Sequence, residues 1–227
     1  MMSSESMNGC NEPEIIDVKE KDCTIYFNSA ITANSMSKLV LALHRLEDKI
    51  LKQNKRLKRK IKELSKSDNK SDNKNDKNNR YDSDDEDDYD RIKIEPKEIK
   101  LYITSYGGYL YQVFTTIDFI KNLKVPVHTI CTGIVASAGT LLSLAGSRKS
   151  ITKNGYMLIH ELRGGSWGKF SGLSDSFQNQ QQLMDHIINY YVENTKITRE
   201  ELEEQLKKDI TWNADICLEK GLVNEII

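Results

Sequence analysis

Cysteine is scarce in this chain and never paired. Cys10, Cys23, Cys131 and Cys217 lie far apart, without the short spacing that a zinc site or a redox pair requires. They read as buried small hydrophobes or inert thiols. Charge of one sign is lacking too: 33 Lys and Arg stand against 34 Asp and Glu, which excludes a strongly basic nucleic-acid binder. No run approaches the ~20 apolar residues of a membrane span. The opening MMSSESMNGCNEPE carries acids where a secretory signal has a basic stretch followed by an apolar one. A Gly-x-x-x-x-Gly-Lys-[Ser/Thr] phosphate loop is also missing. Together these absences predict a soluble cytoplasmic protein that binds neither membrane nor nucleic acid and carries no metal or organic cofactor.

What is present suits one hydrophobic core. The 227 residues are 38% hydrophobic, and a globule of this size buries roughly 70% of the surface that its unfolded chain exposes. The mean hydropathy of -0.58 is low for a compact enzyme, and the excess polarity is concentrated. Residues 49–97 run from a basic stretch (KQNKRLKRKIKELSK) through an Asn/Lys/Asp/Ser tract to the acidic DSDDEDDYD. Such a tract cannot bury enough apolar area to offset its ordering entropy, so residues 65–90 are expected to be disordered. Residues 1–14 are expected to form a flexible N-terminus, and 15–227 a single domain interrupted by this insertion. With no aromatics among its charges, the basic block reads as a solvated helix extension.

Outside the insertion, strands and helices alternate. Residues 23–27 read as a strand. A helix is expected from about Ser35, with Leu39, Leu43, Leu46 and Ile50 on one stripe. Further strands are expected at 99–104, 125–131 and 156–160, with a helix over 111–122 and a small-residue helix start at Ala136-Ser137-Ala138-Gly139. This order implies parallel βαβ units, whose ligands sit beyond the carboxyl ends of strands. Two glycine-bearing turns, Gly107-Gly108 and Gly133, lie at such ends.

Chemistry is therefore sought there. Ser137 follows a buried strand at the start of a helix, where free N–H groups favour the anion formed in acyl transfer. Alone, a serine there is more often a cap or a packing residue. His160 is the one histidine that ends an apolar strand, whereas His44, His128 and His186 suit structural roles. A carboxylate must orient the imidazole; Asp209, Asp175, Asp185 and Asp215 are all open on spacing alone. Oxyanion donors are available from the Gly107-Gly108 turn and the Ala138 N–H, although a glycine pair in isolation is simply a tight turn.

Taken in order, these segments resemble the Clp protease proteolytic subunit family. They are Ile103-Thr104-Ser105-Tyr106-Gly107-Gly108, Gly133-Ile134-Val135-Ala136-Ser137-Ala138-Gly139, Met157-Leu158-Ile159-His160, Gly164-Gly165, Asp209 with Trp212-Asn213-Ala214, and Glu219-Lys220-Gly221-Leu222-Val223. The resemblance runs from about residue 99 to the C-terminus and more faintly over 23–48. It implies an α/β crotonase-like ββα spiral and a serine endopeptidase with Ser137 as nucleophile, His160 as base and acid, and Asp209 as the orienting carboxylate. Oxyanion donation would come from the backbone of Gly108 and Ala138. Residues 164–195 would form a protruding strand–helix handle, through which two heptameric rings of a homo-oligomer stack. Substrates would be peptides or unfolded proteins, supplied by a separate AAA+ ATP-dependent unfoldase.

Three departures from the family pattern stand out. Tyr106 replaces a usual proline, Glu161-Leu162 replaces glutamine-proline after the histidine, and the 49–97 insertion is foreign to it. A catalytically silent scaffold or regulatory subunit of the same family is the alternative, and an acyl-CoA enzyme on the same spiral is a more remote one.

Overall fold

In the computed structural model, residues 15–19, 22–71 and 97–227 are described. The N-terminal stretch 1–14 and residues 72–96 of the 49–97 insertion lie outside the described residues.

Runs of β-branched and aromatic residues form the sheet. Strands β1 (Ile15–Lys19), β2 (Thr24–Asn28), β3 (Ile99–Ser105), β4 (Val127–Ala136), β5 (Arg148–Ile151) and β8 (Glu225–Ile226) lie side by side in that order. Only β1 is antiparallel to its neighbour. Strand β6 (Tyr156–Leu158) pairs parallel to the end of β4, and β7 (Thr211–Asn213) pairs antiparallel to β6.

One irregularity sets the shape. Ile103 of β3 stands opposite Cys131, but Ser105 stands opposite Val135, so β4 carries extra residues between the two pairs. Gly133 sits in that bulge at φ 59°. Before it β4 pairs with β5, at His128 to Cys131; after it β4 pairs with β6, at Ile134 to Ala136. A bulge bends a strand and increases its twist, and here it hands β4 from one partner to the next. The sheet thereby winds into the expected mixed α/β spiral.

Helix α1 (Ala33–Ser71) packs on this sheet through its first half, where Leu39, Leu43, Leu46 and Ile50 are buried. Beyond Ile50 the stripe emerges into solvent, and Leu57 is 47% exposed. The helix continues through Ser71 into the start of the tract expected to lack structure. Once a buried first half supplies the nucleus, Lys, Glu and Leu extend a helix at little cost per residue.

The remaining helices are α2 (Leu110–Asn122), α3 (Ala138–Ser143), α4 (Phe170–Asn194), α5 (Arg199–Leu206) and α6 (Ala214–Glu219). In α4, Ile187, Ile188, Tyr190 and Tyr191 are buried, whereas Phe177 near its start, with Phe170 and Trp167 before it, is exposed. The long helix expected within 164–195 is therefore present, but the glycine-rich strand expected before it is not: residues 164–169 form no strand, because a strand needs a partner for its row of N–H and C=O groups.

The cysteine reading holds for the described residues. Cys23, Cys131 and Cys217 are buried and free, and burial pushes the Cys131 and Cys217 thiols up to about 12. Thiols that basic are poor nucleophiles at neutral pH. Among the described residues, no helix is long and apolar enough to cross a membrane.

Candidate active site

Ser137 occupies the single residue between β4 and α3. It has φ 54° and ψ -129°, a conformation that costs a side-chain-bearing residue about 1–3 kcal/mol unless its surroundings enforce it. They do. The Ser137 N–H donates to Leu158 O on β6 at 2.8 Å. The Ser137 carbonyl accepts from Thr140 N at 2.9 Å and from Thr140 Oγ1 at 2.6 Å. Thr140 in turn bonds the hydroxyl of Tyr191 on α4, whose own ionisation is pushed up by burial. The turn thus lifts the serine out of the sheet end, with the strand behind it and the helix ahead.

The Gly107-Gly108 turn closes against this elbow. Gly107 has φ 92°, and a Cβ there would stand 2.6 Å from Ser137 Cβ and 2.8 Å from Ala136 O. At Gly108, φ 148°, a Cβ would meet Ile31 O at 2.1 Å. Both positions need glycine for close approach as well as for backbone conformation. Hydrogen bonds on either side pin the turn: Ile31 N donates to Gly107 O at 2.8 Å and Tyr109 N to Ile31 O at 2.9 Å. Among the described residues, the N–H groups of Gly108 and Ala138 donate to no protein acceptor. They flank Ser137 as two uncommitted donors.

His160 reaches the same place by register. In the parallel pair of β4 and β6, Ala136 stands opposite Leu158, so the serine and the histidine lie just past the paired ends. Both line an open pocket of about 220 Å³, with Gly108, Ala138, Leu110, Leu141, Glu161, Leu162, Arg163, Ile187 and Tyr191. No hydrogen bond joins Ser137 to His160 among the described residues. His160 Nδ1 lies 2.7 Å from the Glu161 carbonyl oxygen. A carbonyl only accepts, so Nδ1 carries the proton and Nε2 is left as the basic nitrogen.

Asp209 is the third sequence candidate. In the antiparallel pair of β6 and β7, Leu158 stands opposite Thr211. Continued by two residues, that register sets Asp209 opposite His160. Its carboxylate nevertheless points elsewhere: Oδ2 accepts from Arg163 Nη2 at 2.7 Å, and both side chains are largely exposed. Asp209 is not among the residues lining the pocket. The fold therefore brings Ser137, His160, Gly108 and Ala138 together and leaves the Asp209 carboxylate on a neighbouring cation. Of the other aspartates left open by spacing, Asp175 lies on α4 and Asp215 in the first turn of α6. The apolar wall and Arg163 went unread in the sequence, since nothing in local spacing points from Leu110, Leu141 or Arg163 to the serine.

The elements that carry this site coincide with a known family. A model of the Clp protease family matches residues 91–227. A curated relative, an ATP-dependent Clp protease proteolytic subunit of Deinococcus radiodurans, is 28% identical over 133 residues. That match spans 58% of this chain and 65% of the relative's own length. With the serine elbow, the glycine turn and the strand-end histidine all inside the matched region, the chain belongs to the Clp protease family.

Proposed function

We propose that this chain is a serine peptidase of the Clp proteolytic-subunit type, acting on peptide bonds through Ser137. The observation that carries the reading is the enforced positive-φ elbow at Ser137, flanked by the uncommitted N–H groups of Gly108 and Ala138 and sharing a pocket with His160. Fixed backbone donors beside a nucleophile serve to hold a developing oxyanion.

In this reading Ser137 Oγ attacks the peptide carbonyl while His160 Nε2 takes the hydroxyl proton. The carbonyl oxygen becomes the oxyanion and lies on the two amides. His160 then returns the proton to the leaving amine, and water hydrolyses the acyl-enzyme by the same steps. Asp209 completes the relay by accepting a charge-assisted hydrogen bond from His160 Nδ1–H, which orients the ring and stabilises the imidazolium. The apolar wall formed by Leu110, Leu141 and Ile187 would hold a nonpolar part of the substrate. Assembly into stacked rings through the handle, and delivery of unfolded protein by an ATP-dependent partner, are part of the same proposal. So is a cytoplasmic location.

The contact between Asp209 and Arg163 favours a second reading, in which the chain is a silent member that assembles without cleaving. Reaction with a serine-directed fluorophosphonate separates the two. The peptidase takes the label at Ser137 and loses both label and peptide hydrolysis in Ser137→Ala, with assembly intact. A protein that assembles but stays unlabelled, or a Ser137→Ala variant that hydrolyses as before, overturns the peptidase reading.

A further inference from the structure

We infer that Arg163 is a positioning residue that sets whether the Asp209 carboxylate serves His160, and that its ion pair with Asp209 holds the site in a low-activity arrangement. The inference rests on the peptidase reading for its effect on rate, but the contact itself can be tested apart from it.

Three observations converge. The backbone register of β6 and β7, continued past Leu158 and Thr211, puts Asp209 across from His160. The Asp209 carboxylate instead bonds Arg163 at 2.7 Å. The imidazole nitrogen that would receive that carboxylate bonds the Glu161 carbonyl at 2.7 Å. The histidine is therefore already in the useful tautomer, with Nε2 free, but its partner is a neutral carbonyl. A carboxylate in the same place would stabilise the imidazolium formed during attack, which a carbonyl does far less. Arg163 lies three residues after His160, on a segment with no strand or helix, and lines the pocket. Glu161, between them, is tethered by its N–H to Leu206 O at 2.8 Å. A change of side-chain rotamer at Asp209, with the ring leaving the Glu161 carbonyl, converts one arrangement into the other without moving the sheet.

The strength of the contact suits a switch. Arg163 and Asp209 are 67% and 62% exposed, and an exposed pair of this kind biases an equilibrium by about fivefold at most. It is strong enough to favour the resting arrangement and weak enough to be displaced.

The experiment compares full-length wild type, Arg163→Gln, Arg163→Lys and Arg163→Gln/Asp209→Asn. The rate of fluorophosphonate labelling at Ser137 is expected to rise about two- to fivefold in Arg163→Gln. It should return towards wild type in Arg163→Lys, and the rise should vanish when Asp209→Asn is added. Added salt should speed the wild type and leave Arg163→Gln unchanged, because screening weakens an exposed pair. In parallel, proton NMR of the histidine rings should show the His160 Nδ1 proton moving downfield in Arg163→Gln but not in the double variant. A labelled wild type whose rate and His160 resonance are both unmoved by Arg163→Gln overturns the inference and leaves the peptidase intact. If the wild type takes no label, the peptidase reading fails, and the NMR comparison alone decides whether Arg163 controls Asp209.

Discussion

Among the described residues two serine–histidine pairs stand out, and the better-bonded one is the one that cannot meet a substrate. Ser150 Oγ lies 2.6 Å from His128 Nε2, and His128 Nδ1 faces Glu98 Oε1 at 3.4 Å, too poorly aligned for a hydrogen bond. On distance alone this is a serine, a histidine and an acid in line. Yet Ser150 is fully buried and His128 is 5% exposed, and the Ser150 hydroxyl donates to Glu225 Oε1 at 2.7 Å. Arg148 closes the group through its 2.6 Å contact with Glu225. The result ties β4, β5 and β8 together at the sheet edge. Ser137 and His160 make no bond to each other, but they share an open pocket with two uncommitted amides. Access and uncommitted donors, rather than a short serine–histidine distance, are what favour Ser137 as the site of the proposed chemistry.

The largest expected effect breaks the pairs apart directly. Ser137→Ala should remove at least about 10³-fold of peptide hydrolysis without unfolding the protein. Ser150→Ala should leave hydrolysis largely in place and lower stability by about 1–3 kcal/mol, because His128 Nε2 then loses its buried partner. Rates and urea midpoints on the two purified variants check both arms. Equal loss of activity in both would erase the distinction.

Next in size is the glycine turn. In Gly107→Ala the added Cβ has nowhere to go but into the Ser137 elbow, 2.6 Å from its Cβ. About 10²-fold loss of hydrolysis is expected from displaced oxyanion donors, with the labelling rate falling in parallel. Beside the Ser150 pair, a Cβ at Gly146 would meet Arg148 O at 2.8 Å, and Gly146→Ala should affect stability alone.

How far these features can be read from sequence differs between the two regions. Ser137 and His160 stand at ends of strands whose hydrophobic patterns are local, so their proximity follows once the sheet is parallel. The resemblance to a family supplied Asp209, which spacing left among four aspartates. The bulge at Gly133 was not legible, since it depends on the register between β3 and β4, nor were the short strands β1, β5 and β8, whose few residues carry little pattern. His128 is buried and bonded inside the sheet, but Ser150 lies 22 residues further along the chain and Glu225 another 75 beyond that. The Arg163–Asp209 pair spans 46 residues between exposed side chains, where neither periodicity nor burial leaves a trace.

The smallest expected effect concerns acid. Burial is the main force holding the His128 pKa below its usual 6.5, with Arg148 acting the same way and Glu98 and Glu225 opposing. An unfolded chain therefore takes up this proton at higher pH than the folded one. The stability linked to His128 is complete above pH 6.5 and declines as pH falls below it. The Ser150 hydroxyl, with Arg148 behind it, holds Glu225 below its ordinary 4.5, so its contribution is present above that value and is lost as pH falls further. Both changes carry the same sign. Urea unfolding from pH 8 to pH 5 should show a midpoint that drops below pH 6.5 in the wild type and drops less in His128→Gln. A slope that is unchanged in His128→Gln would mean that the buried pair is not the acid-sensitive one.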